Sequence, residues 1–185
     1  ARSARDQQEL VRALPPDERR SWIRLLPPDD VADLIQAGPA GERDALLALL
    51  DDRTRMEVTA LLAYAEDEAG GLMNPRFARV RAEATADEAI SYLRRQAREG
   101  QLEAIYYAYV LDEEQRLLGV ASFRDLFAAP PEKRVREVMR TDVVSVTEDM
   151  DQEAVSRVFA ESDLPAIPVV DAQGRMKGVV TVDAI

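Results

Sequence analysis

The chain has 185 residues, 35 Asp and Glu against 24 Lys and Arg, a net charge of −11, and neither Cys nor His. That balance disfavours nucleic-acid binding, which needs a basic face to meet phosphates. It also excludes zinc on its ordinary ligands, a thiol nucleophile and a Ser-His-Asp triad, so any metal must be held by oxygen, which suits Mg²⁺ or Ca²⁺.

Residues 1–68 carry no strand signal and read as short amphipathic helices. Leu14-Pro15-Pro16-Asp17-Glu18 and Leu25-Leu26-Pro27-Pro28-Asp29-Asp30 each end one helix and start the next. Proline fits the first helical turn, where its missing N–H would have no partner, and acids there complement the helix dipole. Leu10, Val11 and Leu14 are predicted to face a core, as are Trp22, Ile23 and Leu26, then Val31, Leu34 and Ile35. A third helix is predicted over residues 42–50 and a fourth over 52–65. Asp29 and Asp33, at i and i+4, project from one helix face. The acidic run Glu66-Asp67-Glu68 that follows reads equally well as a solvated linker or as part of a hinge.

Beyond it the chain is duplicated, which fixes the architecture. With Met73 laid on Met139, the landmarks recur in order: Val80 and Val146; Asp87-Glu88-Ala89 and Gln152-Glu153-Ala154; Val110-Leu111-Asp112 and Val169-Val170-Asp171; Gly119-Val120-Ala121-Ser122 and Gly178-Val179-Val180-Thr181. The first copy is longer only by an insertion at residues 96–101. Each copy reads as strand, helix, strand, tight turn, strand, helix start. Strands are predicted at Phe77–Val80 and 143–146, at Ala104–Leu111 and Ala166–Val170, and at 117–123 and 176–182. Thr85 and Glu88 fit a capping box for the first repeat's helix, with Thr147 or Asp149 serving the second.

The small-residue strand Gly-h-h-Ser/Thr (h, hydrophobic) ending each copy resembles a tandem cystathionine-β-synthase (CBS) pair. Together with the Leu-Pro-Pro helices, Glu66-Asp-Glu-Ala-Gly-Gly-Leu-Met73 and Ile105-Tyr-Tyr-Ala-Tyr-Val110, the chain resembles the cytosolic part of an MgtE-type magnesium channel or transporter over essentially its whole length. The resemblance implies an α+β fold: an N-terminal right-angled all-α helical stack over 1–68, shortened at its start, then a CBS pair with domains at 69–130 and 131–185. It implies a non-enzymatic Mg²⁺ sensor at the cytoplasmic face of the membrane, and a homodimer through the CBS domains. A plug helix and a transmembrane pore domain would lie beyond this soluble stretch, which has no apolar run near the roughly twenty residues a membrane span needs.

Residue by residue, the resemblance places metal ligands at Asp29 and Asp33, at the backbone of Gly71 and Ala160, at Asp163 and, through a substitute role, at Asp183. Capping by Asp29, solvation of Asp33 and a helix C-terminal place for Asp163 are the structural alternatives. The chain departs from the family at Asp183-Ala184, where a second acid is replaced by a methyl group. Mg²⁺ between the helical domain and the CBS pair would dock them and favour a closed pore. A second reading is adenine-nucleotide sensing: CBS pairs hold the ribose of ATP or AMP with the Asp of Ser/Thr-x-x-Asp. That motif is present as Ser122-x-x-Asp125 and lost as Thr181-x-x-Ala184.

Overall fold

Proline punctuates the N-terminal helices as the residues require. The computed structural model describes residues 4–185, beginning with α1 (Ala4–Ala13), α2 (Pro16–Ile23) and α3 (Pro28–Ala37). Proline stands in the first turn of α2 and α3, followed by Asp17-Glu18 and Asp29-Asp30. Val11, Ile23, Val31, Leu34 and Ile35 are buried, whereas Leu10 is 40% exposed and Leu14, Trp22 and Leu26 are only half-buried. The stripe that α1 turns inward carries Gln8 and Val11, and Leu10 lies about 100° round the helix from Val11. The buried Gln8 amide donates to Glu42 Oε2 at 3.1 Å.

The helix expected over 42–50 is shorter and composite: a 3-10 turn at Ala40–Glu42 runs into α4 (Arg43–Leu47). Arginine side chains take the carbonyls freed at its end. Arg55 donates to Leu47 O at 3.0 Å and Leu50 O at 2.8 Å, and Arg24 to Leu49 O at 3.0 Å. Asp51 then starts α5 (Asp52–Leu62), its carboxylate accepting the Thr54 N–H at 2.8 Å. This helix stops three residues short of its predicted end because the chain turns sharply into α6 (Ala69–Leu72).

The repeats follow as β1 (Phe77–Val80), α7 (Ala86–Arg98), β2 (Ala104–Leu111), β3 (Leu117–Ser122) and α8 (Phe123–Ala128), then α9 (Val135–Val138), β4 (Val146–Thr147), α10 (Gln152–Ser162), β5 (Ala166–Val170), β6 (Met176–Thr181) and a 3-10 turn at Val182–Ala184. Each repeat makes a three-stranded sheet, its first strand parallel to the middle one and its third antiparallel. The capping box at Thr85 and Glu88 forms as predicted. The second cap falls to Asp151, not to Thr147 or Asp149.

The strand expected at 143–146 shrinks to Val146 and Thr147, opposite Val169 and Val170. The Val170 carbonyl accepts the Glu148 N–H, and strand residues two apart face the same side. Pro168 therefore turns its nitrogen toward β4 with no hydrogen to give, and the ladder ends there.

Each repeat's leading helical turn docks on the other repeat. Ala69 and Gly70, ahead of the first, donate to Met150 O and Glu148 O. Val135 and Arg136, ahead of the second, donate to Ala84 O and Ala82 O. The glycine of each Gly-h-h-Ser/Thr strand allows the approach of the opposite methionine: a Cβ on Gly119 would lie 2.9 Å from Met139 Sδ, and one on Gly178 2.7 Å from Met73 Cγ. The polar turns also pair, Met176 N–H to Gln115 O and Leu117 N–H to Gly174 O, with Gln115 and Gly174 both at positive φ (69° and 80°). One hydrophobic cluster runs from Val11, Val31 and Leu61 through Ala69 and Met73 to Val146, Ile167 and Val180, so the helical layer and the second repeat share a core.

Candidate metal centre and the cleft between the repeats

The first turns of α3 gather like charges. Asp29, Asp30 and Asp33 lie there, and Glu66 in the linker is close enough to act on Asp33. Asp29 Oδ1 is buried without a hydrogen-bond partner among the described residues. Burial, and then the charge of Asp30, push the Asp29 carboxyl from 3.8 up to about 7, against the opposing pull of helix amides. Asp33 is exposed as a residue, yet partial desolvation followed by the charges of Asp30 and Glu66 raises its carboxyl to about 6. Burial also raises Asp30. Among the described residues, no Lys or Arg stands among the main groups that act on these acids. An uncompensated, partly buried cluster of this kind costs stability unless a cation meets it.

The other expected ligands lie on three other elements. Gly71 is buried in α6, and a Cβ there would collide with the Ala65 carbonyl, so its small size is already demanded by the linker turn beside Glu66. Asp163 is exposed and caps α10 in the left-handed conformation (φ 55°), a place open to Asp at modest cost. Its N–H takes the Phe159 carbonyl. Ala160 lies in the last turn of that helix, where carbonyls lack intrahelical partners. Asp183 is exposed in the final 3-10 turn, while Ala184 and Ile185 pack on the shared core. Among the described residues no hydrogen bond or ion pair joins Asp163 or Asp183 to Asp29 or Asp33, and no group of three or more acids is close enough to hold a metal by itself. The donor set suits Mg²⁺ all the same, since that ion commonly takes one or two carboxylates and keeps its waters.

Two contacts fasten the helical layer to the repeats. The Arg76 guanidinium meets Glu57 of α5 at 3.1 Å, Thr54 Oγ1 at 2.8 Å and Glu103 at 3.3 Å, and the Arg76 and Glu57 side chains are 14% and 15% exposed. The Tyr64 hydroxyl donates to Glu148 Oε2 at 2.6 Å; burial and that carboxylate raise the phenol to about 12. Neither partnership was legible from the chain pattern, since their members lie 19 and 84 residues apart. Asp30 and Glu66 were also absent from the predicted ligand set, although the acidic run around Glu66 signalled the place.

A second concave site lies between the repeats. It is a cleft of about 280 Å³ lined by Tyr107, Tyr109, Arg140, Val144, Ser162 and Pro168, among others. Tyr109 OH and Ser162 Oγ, which belong to residues lining it, are both buried without hydrogen-bond partners among the described residues. The Ser122 hydroxyl accepts the Asp125 N–H at 3.0 Å as the cap of α8, and Asp125 is exposed. Neither of these two predicted nucleotide residues lines the cleft.

Two sheets built from a duplicated strand–helix–strand–strand unit, locked by exchanged leading turns and preceded by a helical layer, define a CBS pair with an N-terminal helical domain. Family models agree: the MgtE intracellular N domain matches residues 2–67 and the CBS domain matches 69–132 and 135–185. The magnesium transporter MgtE of Thermus thermophilus is 50% identical over 160 residues, which cover 84% of this chain and 35% of that protein. MgtE of Bacillus subtilis is 35% identical over 156 residues, covering 84% of this chain and 34% of that protein. A crystal structure of the cytosolic domain of the Mg²⁺ channel MgtE in complex with ATP superposes with a TM-score of 0.93 at 47% identity, covering 99% of this chain and 74% of that one. The chain belongs to the MgtE family. It spans about a third of the length of the curated relatives it matches, and among its described residues no helix is long and apolar enough to cross a membrane.

Proposed function

We propose that this chain is a non-catalytic, Mg²⁺-responsive regulatory region on the cytosolic side of an MgtE-type Mg²⁺ channel or transporter. The orphaned, buried Asp29 oxygen within an acid cluster carries the reading. Asp29 and Asp33 would hold Mg²⁺ through one or two carboxylates and its own waters, with Glu66 adding negative charge near Asp33; the ion supplies the positive charge this cluster lacks. Without it, two carboxylates roughly 6 Å apart at an effective dielectric of about 20 repel by about 3 kcal/mol. That repulsion pushes α3 away from the linker and works against the Arg76–Glu57 and Tyr64–Glu148 contacts. The docked state would then favour a closed pore through the plug helix and pore domain of the longer protein. Asp163, the Ala160 carbonyl, Gly71 and Asp183 would contribute only as more distant or water-mediated partners.

Calorimetric titration with Mg²⁺ at constant ionic strength, with Ca²⁺ as a control, tests this. Saturable binding that is lost in Asp29→Asn and weakened in Asp33→Asn is expected. Unchanged binding in both variants would refute the site.

Adenine-nucleotide binding is a second reading, supported by the two orphaned hydroxyls in the inter-repeat cleft and by the ATP-bound relative. ATP titration in which Tyr107→Ala removes binding and Asp125→Ala weakens it would support this reading; no binding by the unaltered chain would dismiss it. A homodimer through the CBS domains is supported by an apolar groove of about 330 Å³ along α7 and α8, with Ile105 and Phe127 64% and 66% exposed beside it. Sedimentation equilibrium of Phe127→Glu against the unaltered chain tests it.

A further inference from the structure

A third site collects positive charge in this acidic chain. A cleft of about 580 Å³ opens between the edge strand β1, one face of α7 and the turn after β2. Its size falls within the range of small-molecule sites. Arg79, Arg81 and Arg95 line it together with Tyr92 and Leu111. None of the three guanidinium groups has an ion-pair partner among the described residues. Arg79 lies 4.2 Å from the Phe77 ring centroid and donates to the Pro75 carbonyl at 3.3 Å. Arg81 reaches only the Leu111 carbonyl, at 3.4 Å, and Arg95 lies 5.6 Å from the Tyr92 ring centroid.

The nearby acids do not neutralise this group. Glu57 is held by Arg76 at 3.1 Å and Arg53 at 3.5 Å. Glu88, on the cleft wall, is engaged by the Thr85 N–H and hydroxyl in the capping box but keeps its charge, so Asp87 and Glu88 oppose three guanidinium groups and the lining stays net positive by one. Burial, with Arg53 adding repulsion, lowers the guanidinium pKa of Arg79 despite the opposing effects of Tyr92 and Glu57. A half-buried guanidinium with most of its donors unused is costly to keep without an anion.

We propose that this cleft binds a phosphate-bearing small molecule, with Arg79, Arg81 and Arg95 on its anionic end and Tyr92 and Leu111 against its remainder. Three guanidinium forks exceed what one carboxylate can engage, and they match a group with several charged oxygens. The site is separate from the acid cluster on α3 and from the cleft between the repeats, so its fate does not depend on either.

The test is a pyrophosphate titration of the metal-free chain at constant ionic strength, read on the Nε–Hε signals of its arginines. Saturable shifts at Arg79, Arg81 and Arg95 with one shared Kd are expected, with Arg140 of the inter-repeat cleft unmoved. Arg95→Gln, on an exposed helix face, should weaken binding roughly tenfold or more; Arg79→Gln should do the same, with circular dichroism checking its fold. Co-sedimentation with phosphatidylglycerol vesicles separates the sources: pull-down that Arg95→Gln abolishes assigns the phosphate to a lipid headgroup, and pyrophosphate binding without pull-down assigns it to a soluble metabolite. Non-saturating shifts shared by all exposed arginines, or unaltered affinity in both variants, would overturn the proposal.

Discussion

Replacing Asp29 with Asn removes one charge from the α3 cluster while keeping the size of the side chain. The folded carboxyl titrates near 7 against an ordinary value of 3.8, so between these values the folded chain binds a proton that the unfolded chain has released. Stability is then fully present below pH 3.8 and is lost progressively as pH rises through 7. Three units at about 1.4 kcal/mol each set an upper bound of about 4 kcal/mol. Asp29 keeps some contact with water, which brings the expectation to about 2 kcal/mol, or a midpoint shift of about 4–8 °C for a chain of this size. Thermal and urea unfolding in EDTA at pH 5 and pH 8 would measure it. Asp29→Asn should be the more stable protein at pH 8, with most of the advantage gone at pH 5. Adding Mg²⁺ at pH 8 should raise the midpoint of the unaltered chain more than that of the variant. An Asn variant no more stable than the parent at pH 8 in EDTA would refute the reasoning, because the buried charge would then carry no cost.

Gln115 occupies a left-handed position that its repeat partner fills with Gly174, so Gln115→Gly should stabilise the fold by about 0.5–1 kcal/mol in urea unfolding. Arg76→Met removes the side chain that holds Glu57, Thr54 and Glu103 together; a loss of about 3 kcal/mol is expected, with faster tryptic cleavage in the linker at 65–71. Gly71→Ala places a methyl against the Ala65 carbonyl and should cost about 2 kcal/mol or more, measured as a lower urea midpoint with or without Mg²⁺.

Local chemistry made most of the fold legible. The Leu-Pro-Pro breaks, the Thr85 capping box and the Asp112 and Asp171 turns depend on residues a few positions apart, and each formed where the sequence placed it. The errors came where a distant partner decided. The strand at 143–146 was cut short by Pro168 on its neighbour, the end of the helix at 42–50 gave way to Arg24, just after α2, and Arg55 of α5, and α1 buried Gln8 rather than Leu10. The candidate site divides the same way. Asp29 and Asp33 were visible by spacing, because i and i+4 share a helix face. The effect of Glu66 on Asp33, and the burial of one Asp29 oxygen, depend on tertiary packing, which no local pattern encodes.

Small-angle scattering across a Mg²⁺ titration, at ionic strength matched with K⁺, tests the central claim most directly. The acid cluster predicts a larger radius of gyration without Mg²⁺ and a cooperative fall to that of the docked structure at millimolar Mg²⁺, with the fall blunted in Asp29→Ala and Asp33→Ala. A radius that is the same at all Mg²⁺ concentrations in the unaltered chain would contradict it.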